Sequence, residues 1–290
     1  MKILITGASG QIGNELQVLQ NQYVDWAFHF HDRDTLDITD AKMVHDFFEK
    51  NHIDTCINCA AYTAVDKAET NEAAARAVNV TGAENLAKAC TDRGGVMIHY
   101  STDYVYHGTQ NRPFVETDST SPGGVYAATK LKGDERVLAI NPRAIVLRTS
   151  WVYSSFGHNF VKTMLRLGKD RDKLTVIFDQ VGTPTYARDI AVTTLEILRK
   201  LEEINAEEIT GIYHFSNEGV TSWYDFAKAI FDIENIDCQV LPIETKDYPT
   251  PAARPHFSVL NKGKVKSTFG IKIPHWRESL KACLSVIKDE

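Results

Sequence analysis

No apolar run in the chain reaches the roughly 18 residues that a membrane-spanning helix needs, so nothing in its 290 residues reads as an anchor. Positive charge is also in short supply. Lys and Arg number 32 against 38 Asp and Glu, a formal net charge of −6, with a pI ≈ 5.9. No basic run or stripe offsets that balance, which argues against nucleic acid as a partner. Cysteine is sparse and odd in number (Cys56, Cys59, Cys90, Cys238 and Cys283) and follows no regular spacing. That excludes a disulfide framework and suits a reducing compartment. Repeats, low-complexity tracts and long linkers are absent. The opening "MKILITG" reads as a strand and a turn and leaves no room for a signal peptide, so the expectation is a soluble, cytoplasmic protein. With 43% of residues hydrophobic, the chain is globular and long enough to bury about three-quarters of its unfolded surface.

Two clusters look like metal sites and are better explained otherwise. "CINC" places Cys56 and Cys59 in an apolar run that reads as a buried strand, where residues three apart point to opposite faces. No second Cys pair accompanies them, so both are expected to be core thiols. His29 and His31 in "HFH" share a strand face but have no third ligand nearby, so zinc is not expected.

The first half alternates short β-branched runs with helical patterns. "KILIT", "WAFHF", "DTCINCA", "VMIHYS" and "RAIVLRTS" read as strands, and "QIGNELQVLQ", "DAKMVHDFFEK", "NEAAARAVNVTGAENLAKAC" and "YAATKLKGDERVLA" as the helices between them. That rhythm predicts an α/β fold with a doubly wound, Rossmann-type parallel sheet. From Trp151 onward loops and prolines interrupt it, although "GIYHFS" reads as one more sheet strand. The expected division is a dinucleotide-binding domain over 1–150, with a returning helix and strand near 186–215. A smaller substrate-binding lobe takes 151–185 and 216–290.

"ITGASGQIGNEL" sets Gly7, Gly10 and Gly13 directly after the first strand and into a helix. Glycines there permit a tight turn and close approach of backbone to a pyrophosphate, while the helix N-terminus offers free N–H groups. The spacing is G-x-x-G-x-x-G rather than the commoner G-x-G-x-x-G, but strand, helix and the continuing β/α series all agree with dinucleotide binding. Asp32 follows the second strand, where an acid holds a ribose 2′-hydroxyl. Arg33 beside it suits a 2′-phosphate. The two signals conflict; the reading favours NADP(H), with NAD(H) as the alternative.

The pentapeptide "YAATK" puts Tyr126 and Lys130 four residues apart, on one helix face. Chance supplies about 0.7 such matches in a chain with this composition, and a second pair, Tyr224–Lys228, does occur. Context separates them. Tyr126 opens the helix after strand four, beside the carboxyl ends of the strands where ligands of such sheets sit. Tyr224 lies in a stripe of Trp223, Phe226, Ala227, Ile230 and Phe231 that reads as core. Reducing a carbonyl needs a proton on oxygen, and a free phenol titrates near 10. A neighbouring ammonium and an oxidised nicotinamide would lower it. Thr102, at the end of "YST", would hold the substrate oxygen against the phenol.

These residues together resemble the extended short-chain dehydrogenase/reductase family. The resemblance is closest to its members that reduce the 4-keto group of a dTDP-sugar, and it runs through "GASGQIGNELQ", "LDITD", "NCAAYTAVDKAE", "STDYVY", "YAATKLKGDE", "LRTSWVYS", "DQVGTPTYARDIA" and "YPTPAARPHFSVLNKGK". It implies a catalytic set of Thr102, Tyr126 and Lys130, with Tyr126 the proton donor and Lys130 also holding the nicotinamide ribose. It implies cofactor contacts at Gly10, Gln11, Ile12, Asp37, Ile38, Ala61, Tyr62 and Thr63, and substrate contacts at Val65, Thr102, Asp103, Tyr104 and Trp151, with Arg254 toward the diphosphate. His107 and Ala127 stand where the family usually has an acid and a glycine. Some members bridge two subunits through a metal held by acids. Glu15 matches one of these acids, but Arg188 replaces another, so bound Mg²⁺ is not expected, and either a monomer or a homodimer fits.

Three other functions are known on folds of this kind. A 4,6-dehydratase needs an Asp–Glu pair after the threonine, and here Asp103 is followed by Tyr104. An epimerase recycles its coenzyme, which net consumption of added NADPH would exclude. A non-catalytic NADP-binding regulatory subunit on the same fold has no need of an intact Tyr–Lys pair.

Overall fold

The computed structural model describes residues 1–203 and 209–289. Its centre is a six-stranded parallel sheet in the order β10-β5-β4-β3-β1-β2. The strands are β1 (Lys2–Thr6), β2 (Ala27–His31), β3 (Thr55–Asn58), β4 (Val96–Thr102), β5 (Ala144–Thr149) and β10 (Gly211–His214). Helices α1 (Gln11–Leu19), α2 (Ala41–Asn51), α3 (Val65–Ala68), α4 (Glu72–Arg76), α5 (Ala83–Asp92) and α6 (Val125–Ile140) connect the first five.

The strands are buried on both faces, which is why they read as apolar runs. Successive side chains alternate between faces. Ile3 and Ile5 pack with α1 residue Leu16 and with Ile190, Leu195 and Phe269 on one side. Leu4 packs with Val44, Phe48, Leu86 and Val137 on the other. The chain turns back between β1 and β3, so the crevice at their carboxyl ends is the topological switch point where ligands of such sheets bind.

One long helix was expected over 71–90. The structure instead runs α4 into a π-helical turn, Ala77–Gly82, and then into α5. The extra residue in the turn pushes the Asn79 carbonyl against α6, where a Cβ on Gly133 would stand 2.2 Å from that oxygen. Asn79 also accepts from the Tyr62 N–H at 2.8 Å and donates to Thr129 Oγ1 at 3.1 Å. Such turns recur at functional sites, and this one ties the loop after β3 to α6.

After β5 the chain forms β6 (Val152–Tyr153), α7 (Phe160–Asp170), β7 (Lys173–Ile177), β8 (Val181–Gly182) and β9 (Thr185–Tyr186). Helix α8 (Ala187–Leu201) then packs on α1, and β10 pairs with β5 from Gly211↔Ile145 to His214↔Arg148. The rest comprises β11 (Thr221–Ser222), α9 (Trp223–Glu234), β12 (Gln239–Ile243), α10 (Gly263–Phe269) and α11 (Trp276–Asp289). This part holds more regular structure than its prolines suggested. Strands β7 and β12 pair in parallel, and α7, α9 and α11 close a second core around Phe226, Ile230 and Leu280. Among the described residues no helix is long and apolar enough to cross a membrane.

Candidate active site

The glycine loop is shaped by two close approaches. Gly7 has φ +62, and a Cβ there would stand 2.8 Å from the backbone of Ala60 and Cys59. A Cβ on Gly13 would lie 2.5 Å from the carbonyl oxygens of Gly7 and Ala8, so its role is to seat α1 on the turn. Gly10 caps α1 without any side-chain bond to the helix, leaving the first N–H groups to a ligand. Gly7 and Gly10 open onto a cavity of ≈ 710 Å³ at the switch point. The fit to a dinucleotide is good: a backbone cradle that a methyl group would fill, at a helix N-terminus.

Most of the expected cofactor residues line this one cavity. Gly7, Gly10, Gln11 and Ile12 form one wall; Asp32, Arg33, Asp37 and Ile38 lie at the β2 end; Ala61, Tyr62 and Thr63 follow β3. Gly13 is the exception and lies behind the loop. Asp32 already accepts from Ser9, through its N–H at 2.9 Å and its hydroxyl at 3.0 Å. Asp37 is held below the usual carboxylate range, first by the Thr39 hydroxyl, and so braces its own turn. The Arg33 side chain is 84% exposed and lies 3.8 Å from Asp37, free to turn toward a phosphate.

Tyr126 and Lys130 also line the cavity. The helix that carries them starts at Gly124, which has no capping side chain, and Glu69 supplies the missing acceptor to the Val125 N–H at 2.8 Å. An acid at a helix N-terminus is favoured by the dipole as well. Thr102 ends β4, and its hydroxyl accepts from the Tyr104 N–H at 3.2 Å. Tyr104 meets Tyr126 edge to face at 6.0 Å.

The protein groups around the phenol act against the lowering expected from Lys130 and an oxidised nicotinamide together. Burial at the cavity wall pushes Tyr126 up to about 12, with the Thr102 hydrogen bond opposing. Lys130 does not act on it directly: its ammonium donates to the Tyr100 carbonyl at 2.6 Å. Burial draws Lys130 down to about 8, against the pull of Asp134. A protein dielectric favours the uncharged form of each group, and sequence spacing does not report which acceptor a lysine reaches.

The substrate side differs from expectation in detail. Val65, Tyr104 and Tyr126 converge with His107 and Ala252 around a cavity of only ≈ 10 Å³. Asp103 is buried beneath them; its Oδ2 has no partner, and burial pushes its carboxyl up to about 7. Trp151 adopts φ +47 and has one ring face covered by Trp223, with centroids 3.5 Å apart at 6°. Arg254 is held by Asp66 through two hydrogen bonds, at 3.1 and 2.8 Å. Arg254 and Trp223 both line a second, apolar cavity of ≈ 660 Å³ with Phe160, Met164, Ile177 and Tyr248.

Glu15 is fully buried. It accepts from Ser154 Oγ at 2.6 Å and pairs with Arg188. One carboxylate facing a guanidinium does not suit a bridging metal, and no step is assigned to one. Cys56 is buried in the sheet and Cys59 reaches the cavity rim, burial raising both thiols. His29 and His31 both pack on Phe47. On α9, Lys228 is exposed while Phe226, Ala227, Ile230 and Phe231 face the core.

Sequence reasoning missed Ser9, Thr149 and Trp223, while Ser101 lines the cavity beside the end of β4, as its place in "YST" implies. The Thr149 hydroxyl is buried without a partner at the cavity, at the carboxyl end of β5. That position was itself a signal, since every strand end on this rim is a candidate. Trp223 was read as core, and half of its environment is.

The chain is matched over residues 1–288 by the family described as RmlD substrate binding domain. It is 43% identical to a dTDP-4-dehydrorhamnose reductase of Aggregatibacter actinomycetemcomitans, over 97% of each chain. Its fold is similar to that of a dTDP-4-dehydrorhamnose reductase from Clostridium acetobutylicum, with TM-score 0.94 and 41% identity over 99% of this chain and 100% of that one. A dTDP-4-dehydrorhamnose reductase from Bacillus anthracis, solved in complex with NADP, superimposes with TM-score 0.92 and 36% identity over 98% and 99%.

Proposed function

The chain belongs to the RmlD substrate binding domain family, and from that membership we propose that it reduces the 4-keto group of dTDP-4-dehydro-L-rhamnose to give dTDP-L-rhamnose. It is an NADP-dependent oxidoreductase. NADPH, when bound, supplies the hydride. The observation that carries the reading is the convergence of the glycine cradle, Tyr126 and Lys130 on one cavity, with Thr102 at the end of β4 in hydrogen-bond reach of Tyr126.

Thr102 and Tyr126 take the ketone oxygen between their hydroxyls, and Tyr126 gives it a proton. A phenol near 12 is fully protonated at neutral pH, which is the state an acid must start from. As negative charge builds on the oxygen, the Thr102 and Tyr126 donors and the Lys130 ammonium stabilise it in a site with little water. Lys130 also holds the nicotinamide ribose. Tyr104, Val65 and Trp151 position the sugar, the apolar ≈ 660 Å³ cavity receives the nucleotide, and Arg254 serves the diphosphate. The five cysteines are free, which supports work in the cytoplasm.

The test is purified protein with dTDP-4-dehydro-L-rhamnose and NADPH, followed at the reduced-nicotinamide absorbance band. Stoichiometric oxidation with formation of dTDP-L-rhamnose is expected. Turnover of the sugar without net loss of NADPH would point to an epimerase and end the proposal.

A further inference from the structure

A buried polar chain runs away from Lys130 into the sheet, and the reaction outlined above does not use it. Asn58 sets its polarity. The Asn58 Oδ1 accepts from Thr6 Oγ1 at 2.7 Å and from the Ala60 N–H at 3.1 Å. Its amide nitrogen is therefore the atom that donates to His99 Nδ1, at 3.0 Å, because a backbone N–H needs an acceptor opposite it. His99 then carries its proton on Nε2. That nitrogen lies 3.4 Å from Lys130 Nζ and 3.8 Å from Asp134 Oδ1. Two donors cannot satisfy each other: Lys130 donates to the Tyr100 carbonyl, His99 Nε2 faces the Asp134 carboxylate, and that carboxylate acts on Lys130 through space. Asp134 sits one helical turn beyond Lys130. Its Oδ2 accepts from Ser101 Oγ at 2.8 Å and from Arg148 Nε at 3.1 Å. Its Oδ1 is buried without a hydrogen-bond partner, facing His99. Arg148, His99, Lys130 and Asp134 are each at most 2% exposed.

We propose that Asp134 is a positioning residue for the reductase reaction: its buried carboxylate, anchored by Arg148 and Ser101 and one helical turn from Lys130, keeps that ammonium charged where the Tyr100 carbonyl holds it at the cavity wall. The inference rests on the reading of Lys130 as part of the site. The titratable and charged groups around Lys130 are His99 and Tyr100 on β4, Cys59 after β3, Arg148 on β5, and Tyr126 and Asp134 on its own helix. Asp134 is the one acid among them. A fully buried ammonium with no counter-ion gives up its proton. Burial raises the Asp134 carboxyl, and Arg148 is the first of the groups that oppose it, followed by Lys130 and Ser101. The Arg148 guanidinium is itself held by Tyr106, whose hydroxyl accepts from it at 2.7 Å and meets His214 Nε2 at 2.8 Å. The anchor thus reaches across β5 to β10.

The sign follows from the charge. Lys130 titrates at about 8, so affinity for NADPH and turnover should both fall as the pH rises through that value. Removing the Asp134 charge favours neutral lysine and moves the alkaline limb to lower pH. The experiment measures NADPH binding by nicotinamide fluorescence, and kcat, as functions of pH. It compares wild type, Asp134→Asn, Asp134→Glu and the double variant Asp134→Asn/Arg148→Met. The limb should move down by about one pH unit or more in Asp134→Asn and stay near its wild-type position in Asp134→Glu. If Asp134→Asn does not fold because Arg148 is left unpaired, the double variant, which removes the stranded cation, carries the same expectation. A limb at the wild-type position in a folded variant lacking the acid overturns the inference and leaves Asp134 as a structural residue. The binding measurement needs no sugar, so it stands even if the substrate assignment fails.

Discussion

The two sides of the site are built differently. The coenzyme side is an open cavity of ≈ 710 Å³, walled largely by backbone and by side chains already tied to that backbone, such as Asp32 on Ser9 and Asp37 on Thr39. On the substrate side the ≈ 660 Å³ cavity is open, but at the sugar end the candidate groups engage one another: Trp151 is stacked on Trp223, Arg254 is paired with Asp66, and only ≈ 10 Å³ is free beside Tyr104. A backbone cradle is preorganised and costs little to occupy. A closed set of side chains must exchange internal partners for the ligand's groups, which spends binding energy but makes binding selective.

The seam between the two sides carries the largest expected effect. Tyr126→Phe should lower kcat by about 10²–10⁴-fold while the NADPH dissociation constant stays close to wild type. Equal loss in both would place the phenol in coenzyme binding instead. On the preorganised side, Gly7→Ala puts a methyl group 2.8 Å from the Ala60 and Cys59 backbone at φ +62. It should cost about 1–3 kcal/mol of stability, read as a lower melting temperature, together with weaker NADPH binding. A tolerated alanine would show that the cradle yields. On the closed side, Arg254→Ala should raise KM for the dTDP-sugar about tenfold with a smaller change in kcat. Asp66→Asn, which releases Arg254, should lower it. If both variants raise KM, the ion pair supports the loop rather than withholding a diphosphate partner. The smallest effect is expected at Arg33, whose side chain is 84% exposed. Arg33→Ala should weaken NADPH a few-fold and leave NADH unchanged, as suits a solvent-screened contact.

Much of the fold was legible because it rests on local signals. The β/α alternation, the glycine loop after β1 and the return of "GIYHFS" to the sheet edge all follow from periodicity and turn chemistry. So does the placement of Tyr126 and Lys130 on the cavity wall, since a helix that starts at a strand's carboxyl end faces the crevice. The π turn at 77–82 was not legible: the run from Val78 to Gly82 in "RAVNVTGAE" is weak in helix propensity, but weak propensity does not specify where a helix takes an extra residue. Only the packing of Asn79 on Gly133 accounts for the extra residue. Nor was the closed state of Arg254, which depends on a carboxylate 188 positions earlier in the chain.

By itself, the sequence determined the doubly wound sheet, the dinucleotide loop and the identity of the hydroxyl and amine at its rim. Hydrophobic period, glycine placement and four-residue helical spacing are short-range properties. The tertiary structure decided the electrostatics. Lys130 turns to the Tyr100 carbonyl, Asp134 and Arg148 meet through the sheet, and burial sends Tyr126 up rather than down. Those outcomes depend on which groups are brought together from distant segments and on how much water is left between them, and neither quantity is encoded in neighbouring residues.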